Sequence, residues 1–195
     1  MTNPALQPAD HAATARWLQS YYFTRAGVAV VWVAAAFTLG TRMPPVAAAL
    51  LVAYPAWDAL ANLVDAQRSG GLKANGSQAF NVAVSAITAI AVAVALGQGM
   101  HAVLAVFGVW AALAGLFQLI TGVRRWKTGG QLTMILSGAQ SVLVGAVFLK
   151  QATGAALPGI ADIAPYAAFG AFYFLISAVW LTVKLARGRS AGQAV

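Results

Sequence analysis

Apolar residues in this chain come in long runs, with polar residues collected between them. Six runs stand out, at 22–39, 45–64, 80–96, 102–122, 132–149 and 164–185, each rich in Ala, Val and Leu. A bilayer crossing needs roughly 20 mostly apolar residues, and each run is of that order. The breaks between them carry Gly, Pro and charge, the usual marks of turns. Backbone in lipid must satisfy its own hydrogen bonds, so each run is predicted to be a helix. A closed β-barrel needs alternating segments of about ten residues, and these runs do not alternate. The pattern therefore predicts an all-α, polytopic membrane helix bundle of six transmembrane helices.

Composition strengthens this reading. Of 195 residues, 61% are hydrophobic and 8% charged, with a mean hydropathy of +0.76, against about 45–50% apolar and about 25% charged in soluble domains. The net charge of +8 comes from 12 Lys and Arg against four acidic residues, all Asp. In a soluble protein such an excess points to nucleic acid; here it reports topology. With the N-terminus inside, the inner segments hold Arg16, Arg25, Arg68, Lys73, Arg124, Arg125, Lys127, Lys184, Arg187 and Arg189, and the outer ones only Arg42 and Lys150. The positive-inside rule then predicts that both termini are cytoplasmic. The basic rim suits anionic lipid headgroups, and no nucleic-acid partner is expected.

Residues 1–21 are polar enough to stay outside the hydrocarbon, with Asp10 a candidate cap for a short interfacial helix from His11 to about Ser20. The long polar start and the five further spans argue against a cleaved signal peptide. Tyr22, Trp126 and Tyr166 fall near span ends, where aromatic residues anchor at the interface. The expected organisation is this segment, a membrane domain over 22–185 and a cytoplasmic tail over 186–195.

The inner ends of spans two, four and six share a pattern: Arg68-Ser69-Gly70-Gly71, Lys127-Thr128-Gly129-Gly130 and Arg189-Ser190-Ala191-Gly192, at intervals of 59 and 62 residues. A cation, a hydroxyl residue and Gly suit the C-terminal end of a helix. Three copies predict three tandem hairpins, at 22–64, 80–122 and 132–185, repeated in parallel and not inverted.

At this point the residues resemble a known family. The stretch 107–125 (FGVWAALAGLFQLITGVRR) resembles the fourth span of the HdeD-like acid-resistance membrane proteins, 135–149 (ILSGAQSVLVGAVFL) their fifth, and Gly170 to Leu181 is similar to their last. The resemblance implies a six-helix inner-membrane protein of short repeated hairpins with a role in acid stress. It brings no catalytic residues. The segment Tyr54-Pro55-Ala56-Trp57-Asp58 departs from it by being more polar.

Asp58 is the notable polar residue. Measured from the predicted inner end of span two it lies about 9 Å deep, and Asn62 and Asp65 follow at i+4 and i+7 on the same face. Arg25 enters span one at a similar depth. One expectation is an ion pair of Arg25 with Asp58 or Asp65 that sets the packing of the first hairpin; the other is a protonatable Asp58 that titrates as the cytoplasm acidifies. Asn81 and Ser85 on span three, Gln118 on span four, and Gln131, Ser137 and Gln140 on span five also fall in the inner half or near the midplane. The outer halves hold little beyond Thr38, Tyr166 and Tyr173. A half-depth polar vestibule argues against a constitutive channel, which needs a lined route across the full thickness.

Packing signals are plentiful. Ser137, Ser141 and Gly145 form a stripe of small residues on span five, and Gly115 with Ala111, and Gly108 with Ala112, do so on span four. Such stripes allow close helix approach within the bundle or between copies of the chain. Pro55 is placed to kink span two and free the carbonyl near Leu51.

Catalytic signals are lacking. There is no Cys, and His11 and His101 fall on opposite faces, so no metal site or haem is expected. No Gly-x-Ser-x-Gly elbow, Walker loop or Rossmann glycine pattern occurs. The expectation is a protein that is not an enzyme and has no cofactor, works by packing and association, and forms a homo-oligomer or joins a membrane partner. The alternatives are a small-solute or proton-coupled transporter using Asp58 with Asn62, Asn81 and Gln118, or an accessory subunit of a membrane complex.

Overall fold

The computed structural model describes residues 8–124, 126 and 132–192. Among them there is no strand. Six long helices follow in order: α1 (Pro8–Ala35), α2 (Pro44–Arg68), α3 (Gly76–Ala95), α4 (Met100–Arg124), α5 (Leu132–Ala152) and α6 (Ile160–Gly192). Each contains a stretch long and apolar enough to cross a membrane, as the six runs predict.

The helix ends differ from expectation in instructive ways. The segment expected as a separate interfacial helix is continuous with the first span. The chain is already helical at Pro8, two residues before Asp10, and runs unbroken to Ala35, so Asp10 lies inside the helix and not at its cap. Nothing between Ser20 and Phe23 breaks a helix. One wide π turn, Ala36–Gly40, follows, with the Thr41 N–H reaching back to the Ala36 carbonyl at 3.1 Å. The Gly40 that ends it lies buried against Ile160, whose Cδ1 sits 3.1 Å from where a Cβ would project.

α2 runs to Arg68, four residues past its predicted end, and its C-cap is Ser69. Asp58 is consequently ten residues from that end, about 15 Å along the axis, near the middle of the helix and not 9 Å from its edge. Gly70 and Gly71 then take φ of +96° and +87°, the left-handed turn that glycine tolerates. Here the first copy of the stop pattern acts as expected. The second copy, 127–130, lies outside the described residues. The third, 189–192, forms the last described turn of α6, which runs through Arg189 to Gly192.

The outer turn expected over 150–163 is shorter, because α5 extends to Ala152 and α6 begins at Ile160. Asp162 explains the early start. Its Oδ2 accepts the Gly159 N–H at 2.7 Å, the reach of a third-position acid back to the cap. We expect Asp162→Ala to cost about 0.5–1 kcal/mol, measurable as a lower unfolding midpoint in detergent.

A repeat is visible in the burial pattern, and its period is 56 residues. Leu51, Phe107 and Ile163 are all fully buried; so are, or nearly so, Ala59, Gly115 and Ala171, and likewise Ala66, Gly122 and Ala178. Ala36 in the π turn after α1, Val92 on α3 and Phe148 on α5 follow the same step. The patterns at the helix ends recur at 59 and 62, since ends of helices accept added residues more readily than the core does. Buried positions cannot, since one extra residue rotates every later side chain by about 100°.

The chain divides into two compact units. One comprises α1 up to Val31 with α6 from Ala167. There the Gln19 Nε2 donates to the Thr182 hydroxyl at 2.6 Å, and Tyr22 stacks on Phe174. The other unit, Trp32 to Tyr166, holds α2 to α5 and the first turns of α6. Its most extensive pairings are α4 with α5 and α2 with α3.

The α4–α5 pair is a glycine seam. Gly108, Gly115 and Gly122 are spaced by seven residues, as are Gly138 and Gly145, a period that keeps one stripe facing a partner along the whole contact. A Cβ on Gly115 would stand 2.6 Å from the Gly138 carbonyl oxygen, and one on Gly145 would stand 2.7 Å from the Gly108 oxygen. Ser141 and Gly145 of the predicted stripe lie on this seam, together with Gly138. Ser137, one residue away, is half-buried. On α2 and α3 the matching positions are Val52, Ala59, Ala66, Val82 and Ala89, and a side chain at each step holds backbones further apart.

Candidate polar centre of the bundle

The α2–α5 unit places its polar side chains in a short relay across helices. Asp58 on α2 is half-buried, and its Oδ2 accepts the Ser85 hydroxyl from α3 at 2.7 Å and the Asn62 amide at 3.1 Å. The Asn62 amide also donates to the Asp58 carbonyl at 2.8 Å. Ser85, only 1% exposed, accepts in turn the indole N–H of Trp110 from α4 at 3.1 Å. A serine carries one proton and two lone pairs, so Ser85 has one direction of donation here: Trp110 to Ser85 to Asp58.

The same relay recurs one repeat later. Ser141 on α5 donates to the Ala111 carbonyl at 2.9 Å and lies 2.8 Å from the Tyr166 hydroxyl. With its proton committed to Ala111, Ser141 accepts from Tyr166. Ser85 and Ser141 are 56 residues apart, and so are Trp110 and Tyr166. The donor changes from an indole in the first copy to a phenol in the second, and the acceptor from the Asp58 carboxylate to a backbone carbonyl. The repeat equivalents of Asp58 are Ala114 and Gly170, and Ala29 stands where the third serine would fall.

Aromatic rings enclose this polar layer. Tyr54, the third member of the 54, 110, 166 series, meets the Trp110 ring edge-on at 5.8 Å, and Trp110 meets Tyr166 edge-on at 6.3 Å. Phe107 and Phe148 add further edge contacts. Such geometries contribute about 0.5–1.5 kcal/mol each beyond their area. Tyr166 is therefore part of the interior hydrogen-bond system and not the interface anchor its place near a span end predicts. Its hydroxyl has a buried partner in Ser141, which lipid headgroups would otherwise supply. Trp126 is 58% exposed, and Tyr22 is half-buried and stacks on Phe174.

Pro55 lies between Tyr54 and Asp58 inside α2. Lacking an N–H, it leaves the Leu51 carbonyl without its usual partner four residues on. At the adjacent carbonyl, Leu50, the Trp32 indole donates at 2.8 Å, and its ring packs on Tyr54 at 4.7 Å. The turn at Pro55 is thus braced by an aromatic pair one turn from the carboxylate.

The remaining candidates have separate places. Asp65 accepts the Gln78 amide at 3.1 Å, bridging the ends of α2 and α3 beside their turn. Asn81, Gln118 and Gln140 are half-buried on α3, α4 and α5. Arg25 belongs to the α1–α6 unit, where its guanidinium lies 4.2 Å from the Phe174 ring centroid and its Nη1 donates to the Tyr21 hydroxyl at 3.1 Å. That cation–aromatic contact carries no sequence signal of its own, since Phe174 lies five spans away. Trp110 and Tyr166 as donors are also absent from the sequence reading, although their spacing of 56, matched by Ser85 and Ser141, marks them.

Among the described residues, no group of three His, Cys, Asp or Glu side chains gathers. The hydroxyls of Ser85 and Ser141 are engaged in helix-to-helix bonds, so the centre as built holds helices in register and keeps one carboxylate in the interior.

No curated protein and no solved structure matches the chain. A family model, DUF308, described as a short repeat of unknown function, matches residues 83–150. That stretch runs from α3 through α5 and includes Ser85, Trp110, Ser141 and the whole glycine seam. With six helices able to cross a membrane, the chain is a multi-pass integral membrane protein that carries a region similar to the DUF308 short repeat.

Proposed function

We propose that this chain is a non-enzymatic, stress-related inner-membrane protein of the HdeD-like type, working through helix packing and association, with its basic rim toward the cytoplasm. The observation that carries this reading is the relay itself: its serine, indole and phenol protons go to other helices, at two steps 56 residues apart. The DUF308 match supports a protein of short repeated helical elements, which agrees with the resemblance of 107–125 and 135–149 to HdeD-like spans. The acid-stress role follows from that resemblance. Its test is survival of a deletion strain after acid challenge. Restoration by the wild type but not by a seam variant such as Gly145→Val supports the reading. Equal survival of deletion and parent strains overturns it.

A second reading, proton-coupled transport, is favoured by one observation. Asp58 has Ala and Gly at its repeat equivalents, so the helix step packs without a carboxylate. Proteoliposome flux separates the two. We expect no solute-driven proton movement with the wild type. Flux that disappears in Asp58→Asn, with the variant still folded, would establish transport. Co-purification of a stoichiometric membrane protein after gentle solubilisation would instead make the chain an accessory subunit.

A further inference from the structure

The second half of α6 bears a shallow groove lined by Ile176, Val179, Trp180, Val183, Lys184 and Arg187. Its two ends differ in chemistry. Ile176, Val179, Trp180 and Val183 are apolar and exposed. Lys184 and Arg187, three residues apart, share a helix face. The Lys184 ammonium lies over the Trp180 ring at 5.1 Å, a cation–aromatic contact that holds the charge at the rim of the apolar stretch.

The positions along the axis match a lipid. Within the α1–α6 unit Ile176 lies about 12 Å along the helix from Lys184, a span that fits inside one leaflet of a hydrocarbon core about 30 Å thick. The apolar residues therefore run alongside acyl chains, and the two cations reach headgroup level, with Trp180 between them in the zone that tryptophan favours. Beyond Asp162, α6 has no acidic residue, so nothing along the helix neutralises the pair.

We propose that this groove binds one anionic phospholipid, with its phosphate held by Lys184 and Arg187 and one acyl chain lying along Ile176, Val179 and Val183. A second copy of the chain fits less well. Association through the same face about an axis along the membrane normal would bring the two cationic ends together. The site does not depend on the stress role.

Native mass spectrometry of the full chain, in neutral detergent with equal phosphatidylglycerol and phosphatidylcholine, tests the assignment. One phosphatidylglycerol should remain bound per chain. In Lys184→Gln/Arg187→Gln its affinity should fall about thirtyfold, the effect of two lost headgroup charges. The pair Lys73→Gln/Arg124→Gln, also basic and exposed, should leave it unchanged. Equal retention of phosphatidylcholine, an equal loss in the control pair, or displacement by millimolar inorganic phosphate would each overturn the proposal. So would loss of a dimer in place of loss of lipid.

Discussion

Gly115→Ala is expected to destabilise the protein by about 3 kcal/mol, the upper range for overpacking, and Gly115→Leu to prevent accumulation of folded chain. The added methyl would fall 2.6 Å from the Gly138 oxygen, 2.7 Å from the Val142 nitrogen and 2.8 Å from the Ser141 Cβ. Two of these neighbours are backbone and cannot rotate aside, so the helices must part. Parting them also breaks the bond from Ser141 to the Ala111 carbonyl, which couples the seam to the polar centre. Gly27→Ala is the control. A Cβ there meets nothing within 4 Å, and alanine within α1 should be neutral or stabilising by up to about 1 kcal/mol. Unfolding in mixed micelles by increasing dodecyl sulfate gives both values. Equal stabilities of Gly115→Ala and wild type would show that α4 and α5 do not meet as closely as described.

Trp110→Ala is expected to cost about 3–5 kcal/mol, the usual loss for a buried tryptophan. The side chain is 5% exposed and meets the rings of Tyr54, Phe107 and Tyr166. Its removal also takes from Ser85 the donor that completes the relay to Asp58. Trp110→Phe separates the two contributions, because it retains most ring packing and deletes the N–H. Its cost should be about 1 kcal/mol, near the value for one interhelical bond in a membrane. A double-mutant cycle with Ser85→Ala reads the coupling directly, and additive single effects would mean that the relay does not act as a unit.

Much of the fold is legible along the chain because lipid imposes a simple requirement. An apolar run long enough to cross must be a helix, and the six runs appear in the structure as six helices. Helix ends are less legible. Polar, helix-favouring residues such as Asp65 to Arg68 extend α2 outside the hydrophobic run, and Asp162 starts α6 early. Asp58, Asn62, Ser141, Gly115 and Gly145 are visible as polar or small residues in apolar context. The roles of Ser85, Trp110, Tyr166 and Gly138 are not, since each depends on a partner on another helix. A tyrosine near a span end reads as an anchor until a serine from another helix lies beside its hydroxyl.

Hydrophobic length alone thus determined that the chain is embedded in a membrane, how many times it can cross and, through small residues, which helices can approach closely. The tertiary arrangement decided the rest: the 56-residue step of the core, the glycine seam and the carboxylate's hydrogen-bond donors. The physical reason is one of range. Transfer into lipid is a property of each segment by itself, whereas hydrogen bonds and steric fit exist only between atoms that folding brings within a few ångströms.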